Sequence, residues 1–336
     1  RLNPRDEGVL FARRSPHEGG AYCTLILNHP LHNRLALILV DNAVELMVRH
    51  SLMVHASFGG EYPKGLNTAQ QRRQARSQKF ADRLAMLVHV GELTRLEASF
   101  VLAAHEHRNA AYHEGFGGGP FLRPLGFAYY RFACDYLTRF QMAFSSWVSN
   151  FAFSETSRRY YDTCRDDDAS AMPALDRAKL AAALEAQLPQ LDGQPITEIL
   201  ADTLEADRQA IVTSFRFLIE NTSPRLSTPQ LLAKIQFSSA RDAALEKRGL
   251  ERTHFDTPRR AEAVQFVKTS WKKYQPRYRA IPHGAWATGI ARIRTSDSLY
   301  EAVVRFEDLR AKMAFLRDAI CDGAFALEME IQSQYD

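Results

Sequence analysis

The 336-residue chain is poor in cysteine and has no long apolar run. Cys23, Cys134, Cys164 and Cys321 stand far apart, without a short paired spacing, which excludes a disulfide framework and a thiolate metal site and predicts a reduced, cytoplasmic setting. The longest strongly apolar stretch, residues 35–40, stops at Asp41, far short of the roughly 20 residues that cross a bilayer, so no membrane association is expected. Arg1, Arg5, Arg13 and Arg14 precede no apolar core and no small-residue cleavage site, which argues against a secretory signal; the start at Arg1 rather than Met reads as a trimmed one. Internal repeats and low-complexity tracts are missing. So are a Gly-x-Ser-x-Gly elbow and a Cys/His nucleophile context, which removes support for covalent hydrolase chemistry. The glycines at 117–119 follow a helix and no Gly-Lys-Ser/Thr closes them, so they predict a flexible turn, one that either lets a polymer backbone approach closely or simply joins two helices. No cofactor is expected.

What remains is a chain of 46% hydrophobic residues, long enough for two ordinary cores. A net charge of +4 permits a polyanionic partner without requiring one. Residues 35–54 are apolar almost all round, broken by Asp41, Glu45 and Arg49 at successive i+4 positions, the pattern of a mostly buried helix with one polar stripe. Gly59, Gly60, Pro63 and Gly65 mark a loop. Apolar spacing returns at Leu84, Leu87 and Val88, and after Gly91 a third helix carries Leu93, Leu96, Phe100, Ala103 and His107 and ends near His113. A fourth, aromatic-rich helix follows from about Leu125 through Tyr129, Phe132, Tyr136, Phe140, Phe144 and Trp147. Four helices in about 120 residues predict an up-and-down bundle.

The segment 162–173, with Asp166, Asp167, Asp168 and Ser170, reads as a linker or solvated turn. The expected organisation is an N-terminal extension over 1–30, a bundle over 31–160, and a helical C-terminal region over 174–336 that engages RNA, senses a trigger or oligomerises. The fold class is all-α. From Leu299 a heptad seam runs through Ala302, Phe306, Leu309, Met313, Leu316, Ile320 and Leu327, interrupted by Gly323; it fits one long helix of a bundle or a homotypic coiled-coil contact.

On a helical wheel the third helix places Leu93, Leu96, Phe100, Ala103, His107 and Ala110 on one side, and His105, Asn109 and His113 on the other, flanked by Arg108. A cation, an amide and an imidazole are thus expected to face away from the core. Histidine titrates near neutral pH and suits proton transfer. Arginine stays protonated and offers phosphate a planar fork of donors. The plainer reading is an exposed helix end, where Arg and His answer the last carbonyls and the helix dipole.

The spelling Arg108-Asn109-Ala110-Ala111-Tyr112-His113 resembles the Arg-polar-x3-His signature of the HEPN superfamily, helical bundles many of which are metal-independent ribonucleases. The resemblance covers roughly residues 30–155. It implies an endoribonuclease of toxin or phage-defence type, with His113 as acid or base, Arg108 on the phosphorane, Asn109 as an orienting group, and His105, Tyr112 and Glu114 as supporting residues. It further implies a composite cleft. Only one such motif occurs in the chain, so a homodimer is expected, with an antitoxin or defence-system protein as a further partner. Gly115 stands where the toxin branch carries a tyrosine two residues after the histidine, so modification of such a tyrosine is not implied. The alternatives are a non-catalytic HEPN-like module that dimerises or binds a nucleotide, and an RNA-binding module without cleavage.

His50, His55, His105, His107 and His113 have neither the number nor the spacing of zinc ligands, so no metal is expected, and His107 reads as a core-edge histidine. Two basic clusters are candidate RNA contacts. One holds Arg72, Arg73, Arg76 and Lys79, with Arg83 close behind; the other holds Lys268, Lys272, Lys273, Arg277 and Arg279 among Trp271, Tyr274, Tyr278 and Trp286, where cations would track phosphates and rings stack on bases. Either cluster also fits an ordinary solvated helix face.

Overall fold

A computed structural model describes residues 30–57, 65–113, 121–139, 176–188, 194–247 and 257–334. These form eleven α-helices, and the described residues include no strand. The chain divides into two units, residues 1–199 with 298–304 and residues 200–297 with 305–336.

The first unit is organised on α1 (Pro30–Ser57), which meets α2 (Ala69–Ala75), α3 (Phe80–Val90), α4 (Arg95–His113) and α5 (Leu122–Arg139). Its Leu37, Val40, Val44, Val48 and Leu52 recur at helical spacing and are all buried. Each such side chain contributes about 1.5–3 kcal/mol on leaving water. The core of α4 and α5 is aromatic: Phe100 lies edge-on to Tyr129 and stacks on Tyr300 with ring centroids 4.4 Å apart, while Tyr129, Phe132 and Tyr136 stack along α5.

Local chemistry sets the helix ends. Thr68 and Gln71 close a reciprocal capping box on α2, and Thr94 and Glu97 do the same for α4. At the end of α3, Gly91 adopts φ 86°, a left-handed conformation that a Cβ would strain, and returns its N–H to the carbonyl of Leu87.

The expected linker at 162–173 lies outside the described residues, as do residues 1–29. The helix just beyond it, α6 (Arg177–Glu185), belongs with the first unit rather than the second. Tyr130 on α5 donates its hydroxyl to the carbonyl of Leu184, and Tyr130 and Leu188 pack on the buried pair Ala36–Phe127. The division into two units falls near residue 199.

The second unit contains most of α7 (Ile196–Asn221), α8 (Thr228–Glu246), α9 (Thr257–Lys273), α10 (His283–Arg294) and most of α11 (Leu299–Gln332). Ala302, Phe306, Leu309, Met313, Leu316 and Ile320 are buried along α11, and Gly323 does not interrupt the helix. Within the unit, this seam meets other helices of the same chain: a Cβ at Gly289 of α10 would lie 2.8 Å from Leu309, and Cys321 Sγ lies 3.8 Å from Ser214 Oγ of α7. The fully buried Gln236 clamps the connection before α10, accepting from Tyr278 N–H at 2.9 Å and donating to Tyr278 C=O at 2.7 Å. Pairing both ends of a buried amide removes its desolvation cost.

Candidate functional site

The polar stripe of α1 meets α4 in the first unit. Asp41 is completely buried. A buried carboxylate is costly unless hydrogen-bonded and charge-compensated, and three groups do this. Tyr129 of α5 donates its hydroxyl to Oδ1 at 2.9 Å, His105 Nδ1 lies 3.0 Å from Oδ2, and Arg108 Nε lies 3.4 Å from Oδ2. Glu45, one turn along α1, stands 3.4 Å from the same His105 nitrogen. Burial, reinforced by the charges of Asp41 and Glu45, pushes the Tyr129 hydroxyl well above its usual range, so it remains a donor.

Both terminal nitrogens of Arg108 are hydrogen-bonded, and its Nε stands at ion-pair distance from Asp41. While Nε faces Asp41, Nη1 donates to Asn109 Oδ1 at 2.9 Å and Nη2 donates to Asn42 Oδ1 at 3.2 Å. A quarter of its side chain stays exposed. His105 is packed on the ring of Phe80, centroids 4.5 Å apart. His105 and Arg108, expected to face away from the core, thus turn toward α1. The reason is that α4 is buried over a wide arc: Phe100, Ala103 and Ala104 are buried along one side, and Asp41 attracts His105 and Arg108 on the flank where Val101 is also buried. Asn109 accepts from Arg108, so it acts on the guanidinium. His107 lies at the core edge, buried against Phe121 with ring centroids 4.8 Å apart. Tyr112 and His113 are the last residues of α4; their side chains, and all of Glu114, lie outside the described residues.

Asp41, Glu45 and His105 bring their ligand atoms within 4.8 Å of one another, a donor set that a divalent cation accepts. Sequence spacing could not have shown this, because His105 and Asp41 are 64 positions apart. In the fold, Asp41 is already answered by Tyr129, His105 and the Arg108 cation. An added metal ion would have to displace hydrogen bonds and sit beside a like charge.

A second carboxylate cluster, unforeseen from sequence, lies farther along α1. Glu92, in the turn after Gly91, accepts from Ser51 Oγ at 2.5 Å and Tyr136 Oη at 3.0 Å and pairs with His55 Nε2 at 2.8 Å. Burial alone would raise its carboxyl, but the bonds from His55 and Ser51 prevail and hold it below the usual glutamate range.

Comparison with protein-family models, curated proteins and solved structures gave no match. The side chains themselves therefore carry the functional reading.

The basic candidates separate in use. Arg72 donates to the carbonyls of Leu66 and Asn67, both at 3.0 Å, and so fastens the start of α2. Arg73 and Arg76 are exposed and line surface cavities of the first unit; Lys79 is exposed at the start of α3. In the second unit Lys268, Lys272, Lys273, Arg277 and Arg279 are all exposed. Trp271 is exposed there too, edge-on to Phe237 at 4.8 Å, and Arg277 lies over the rings of Tyr278 and Phe315 at 5.3 and 5.5 Å.

Proposed function

We propose that the protein is a metal-independent endoribonuclease of toxin or phage-defence type, built on a HEPN-like bundle. One observation carries the reading: Arg108, the arginine of the Arg-polar-x3-His spelling, is fixed by Asp41, Asn42 and Asn109 while part of its side chain reaches the surface. A cation fixed before substrate arrives stabilises developing charge without reorganising. In this mechanism His113 takes the proton of a ribose 2′-OH, O2′ attacks the adjacent phosphorus, and Arg108 neutralises the phosphorane. The P–O5′ bond then breaks and the departing oxygen takes a proton, leaving a 2′,3′-cyclic phosphate and a 5′-OH. Proton removal and proton delivery occur on opposite sides of the phosphorus, which favours two imidazoles and hence a homodimer presenting two motifs. In support, Leu31, Leu35, Leu46 and Met53 are exposed on α1 and fall within a sector of about 60° that also holds Asn42, an apolar stripe beside the Arg108 contact. RNA is the substrate, the cytoplasm the compartment, and a neutralising antitoxin or defence protein a further partner.

A second reading is favoured by the same contacts: an Arg108 spent on holding α4 to α1 would make this a non-catalytic HEPN-like module that dimerises or binds a nucleotide or RNA. Total RNA incubated in chelator with the wild type, Arg108→Ala and His113→Ala separates the two. Cleavage by the wild type alone is the expected result. Equal inertness of all three with retained RNA binding would establish the module, and activity restored only by added divalent metal would move the chemistry to Asp41, Glu45 and His105. Sizing over a concentration range checks the dimer; a strict monomer removes the composite cleft.

A further inference from the structure

A cavity of about 430 Å³ opens in the first unit between α1, the end of α2 and the start of α3, at the far end of the Asp41–Glu45–Arg49 stripe. Three arginines line it, Arg49 from α1, Arg76 after α2 and Arg83 from α3, and no carboxylate does. Like charges gathered in one cavity repel, and the arrangement costs free energy unless an anion answers them. None of the three makes an ion pair with a described carboxylate. Asp82, next to Arg83, accepts from Ser77 Oγ at 2.7 Å and lines the neighbouring cavity instead.

Arg83 gives the second observation. Its Nε is buried and has no hydrogen-bond acceptor among the described residues, although its guanidinium is positioned over the ring of Phe80 at 5.2 Å. A buried N–H donor without an acceptor is rare, and a cation is the costlier case. The rest of the cavity is mixed: Leu52, Met53, Ala56 and Ala75 are apolar, Ser77 and Gln78 polar. Three guanidinium-bearing residues set among apolar wall, in a volume of this size, match a phosphate carried on a ring-bearing body of nucleotide dimensions better than a bare inorganic ion.

We infer that Arg49, Arg76 and Arg83 form a binding pocket for the phosphate of a nucleotide unit, either a free mononucleotide or one nucleotide of an RNA strand. Arg49 and Asp41 are eight positions apart on one helix, a rise of about 12 Å. The ring of Phe80 contacts both Arg83 and His105, so the pocket adjoins the Arg108 cluster. Placing a strand there rests on the nuclease reading; binding of a phosphate does not.

The test uses the full chain carrying Arg108→Ala, so that no probe is consumed. Binding of AMP, adenosine and inorganic phosphate is measured by calorimetry, and binding of a labelled ten-nucleotide single-stranded RNA by anisotropy. AMP or the RNA binds, adenosine does not, and Arg49→Met and Arg83→Met each weaken binding by about ten- to a hundredfold, the loss of a charge-assisted hydrogen bond. Binding of AMP assigns a free nucleotide, and binding of RNA without AMP assigns a strand; either supports the pocket. Failure of both probes, equal binding of adenosine, or affinities unchanged by both substitutions overturns it. Should Arg83→Met fail to fold by circular dichroism, Arg49→Met, at an exposed position on α1, decides alone. Arginine-dependent binding of AMP without RNA cleavage by the wild-type chain would remove the nuclease and leave the pocket, whereas cleavage with KM unchanged in Arg49→Met and no arginine-dependent binding of either probe would do the reverse.

Discussion

Asp41 and Glu92 have the same neighbours and opposite consequences. Each carboxylate takes a tyrosine hydroxyl from α5, from residues seven positions apart, and each meets an imidazole, Asp41 that of His105 on α4 and Glu92 that of His55 on α1. Around Glu92 the remaining partner is a serine hydroxyl, so the cluster fastens the turn at Gly91 to α1 and α5. Around Asp41 the remaining partner is a guanidinium that reaches the surface. A buried negative charge held by an imidazole and hydroxyl donors serves structure; the same charge beside a partly exposed guanidinium also fixes where that cation can act.

The sharpest way to break this comparison is to remove the arginine. Arg108→Ala lowers the cleavage rate by about 10³- to 10⁵-fold, the range for an arginine that stabilises a transferring phosphoryl group, whereas Glu92→Gln leaves the rate per folded molecule unchanged; gel-resolved cleavage measures both. Phe100→Ala strikes the two clusters together, because Phe100 supports Tyr129 directly and Phe132 stacks on Tyr136. Denaturant unfolding shows a loss of about 3–5 kcal/mol for that truncation.

Glu92→Gln costs about 1–3 kcal/mol, the penalty of weakening bonds to a half-buried charged acceptor, and its pH dependence carries a sign. The folded carboxyl lies below the ordinary glutamate value of 4.5, so its contribution is complete above that value and fades as the pH falls through the lower folded value. The gap in stability between wild type and Glu92→Gln therefore closes with acidification below about pH 4.5, and a constant gap would show that the carboxylate is not the source. Gly91→Ala has the smallest effect, about 1 kcal/mol from a left-handed conformation with no steric obstacle around the new Cβ, read as a small drop in thermal midpoint.

Much of this fold could be read in the sequence, because apolar spacing reports burial directly. The stripe Asp41, Glu45, Arg49 marked α1 as a core helix, and the seam from Leu299 marked α11. The short α2 carries no such apolar signal; its capping box, Thr68 with Gln71, was the available clue. Of the site, Arg108 and Asn109 stood out as a motif. The direction in which they face did not, since a wheel shows the sides of α4 but not that a carboxylate 67 positions earlier lies against the supposedly outer one. Glu92 escaped for the same reason: Ser51, His55 and Tyr136 are remote in sequence, and only the fold gathers them.

Tyr300 has a consequence for how the chain can be divided. It stands at the start of α11, yet its ring lies on Phe100 and near Phe132 in the first unit. The first module is thus discontinuous, its inner surface closed by a residue about a hundred positions beyond its main body. A fragment ending at residue 199 would bare two aromatic faces to water, so the first unit inherits part of its integrity from a helix that begins about a hundred positions later.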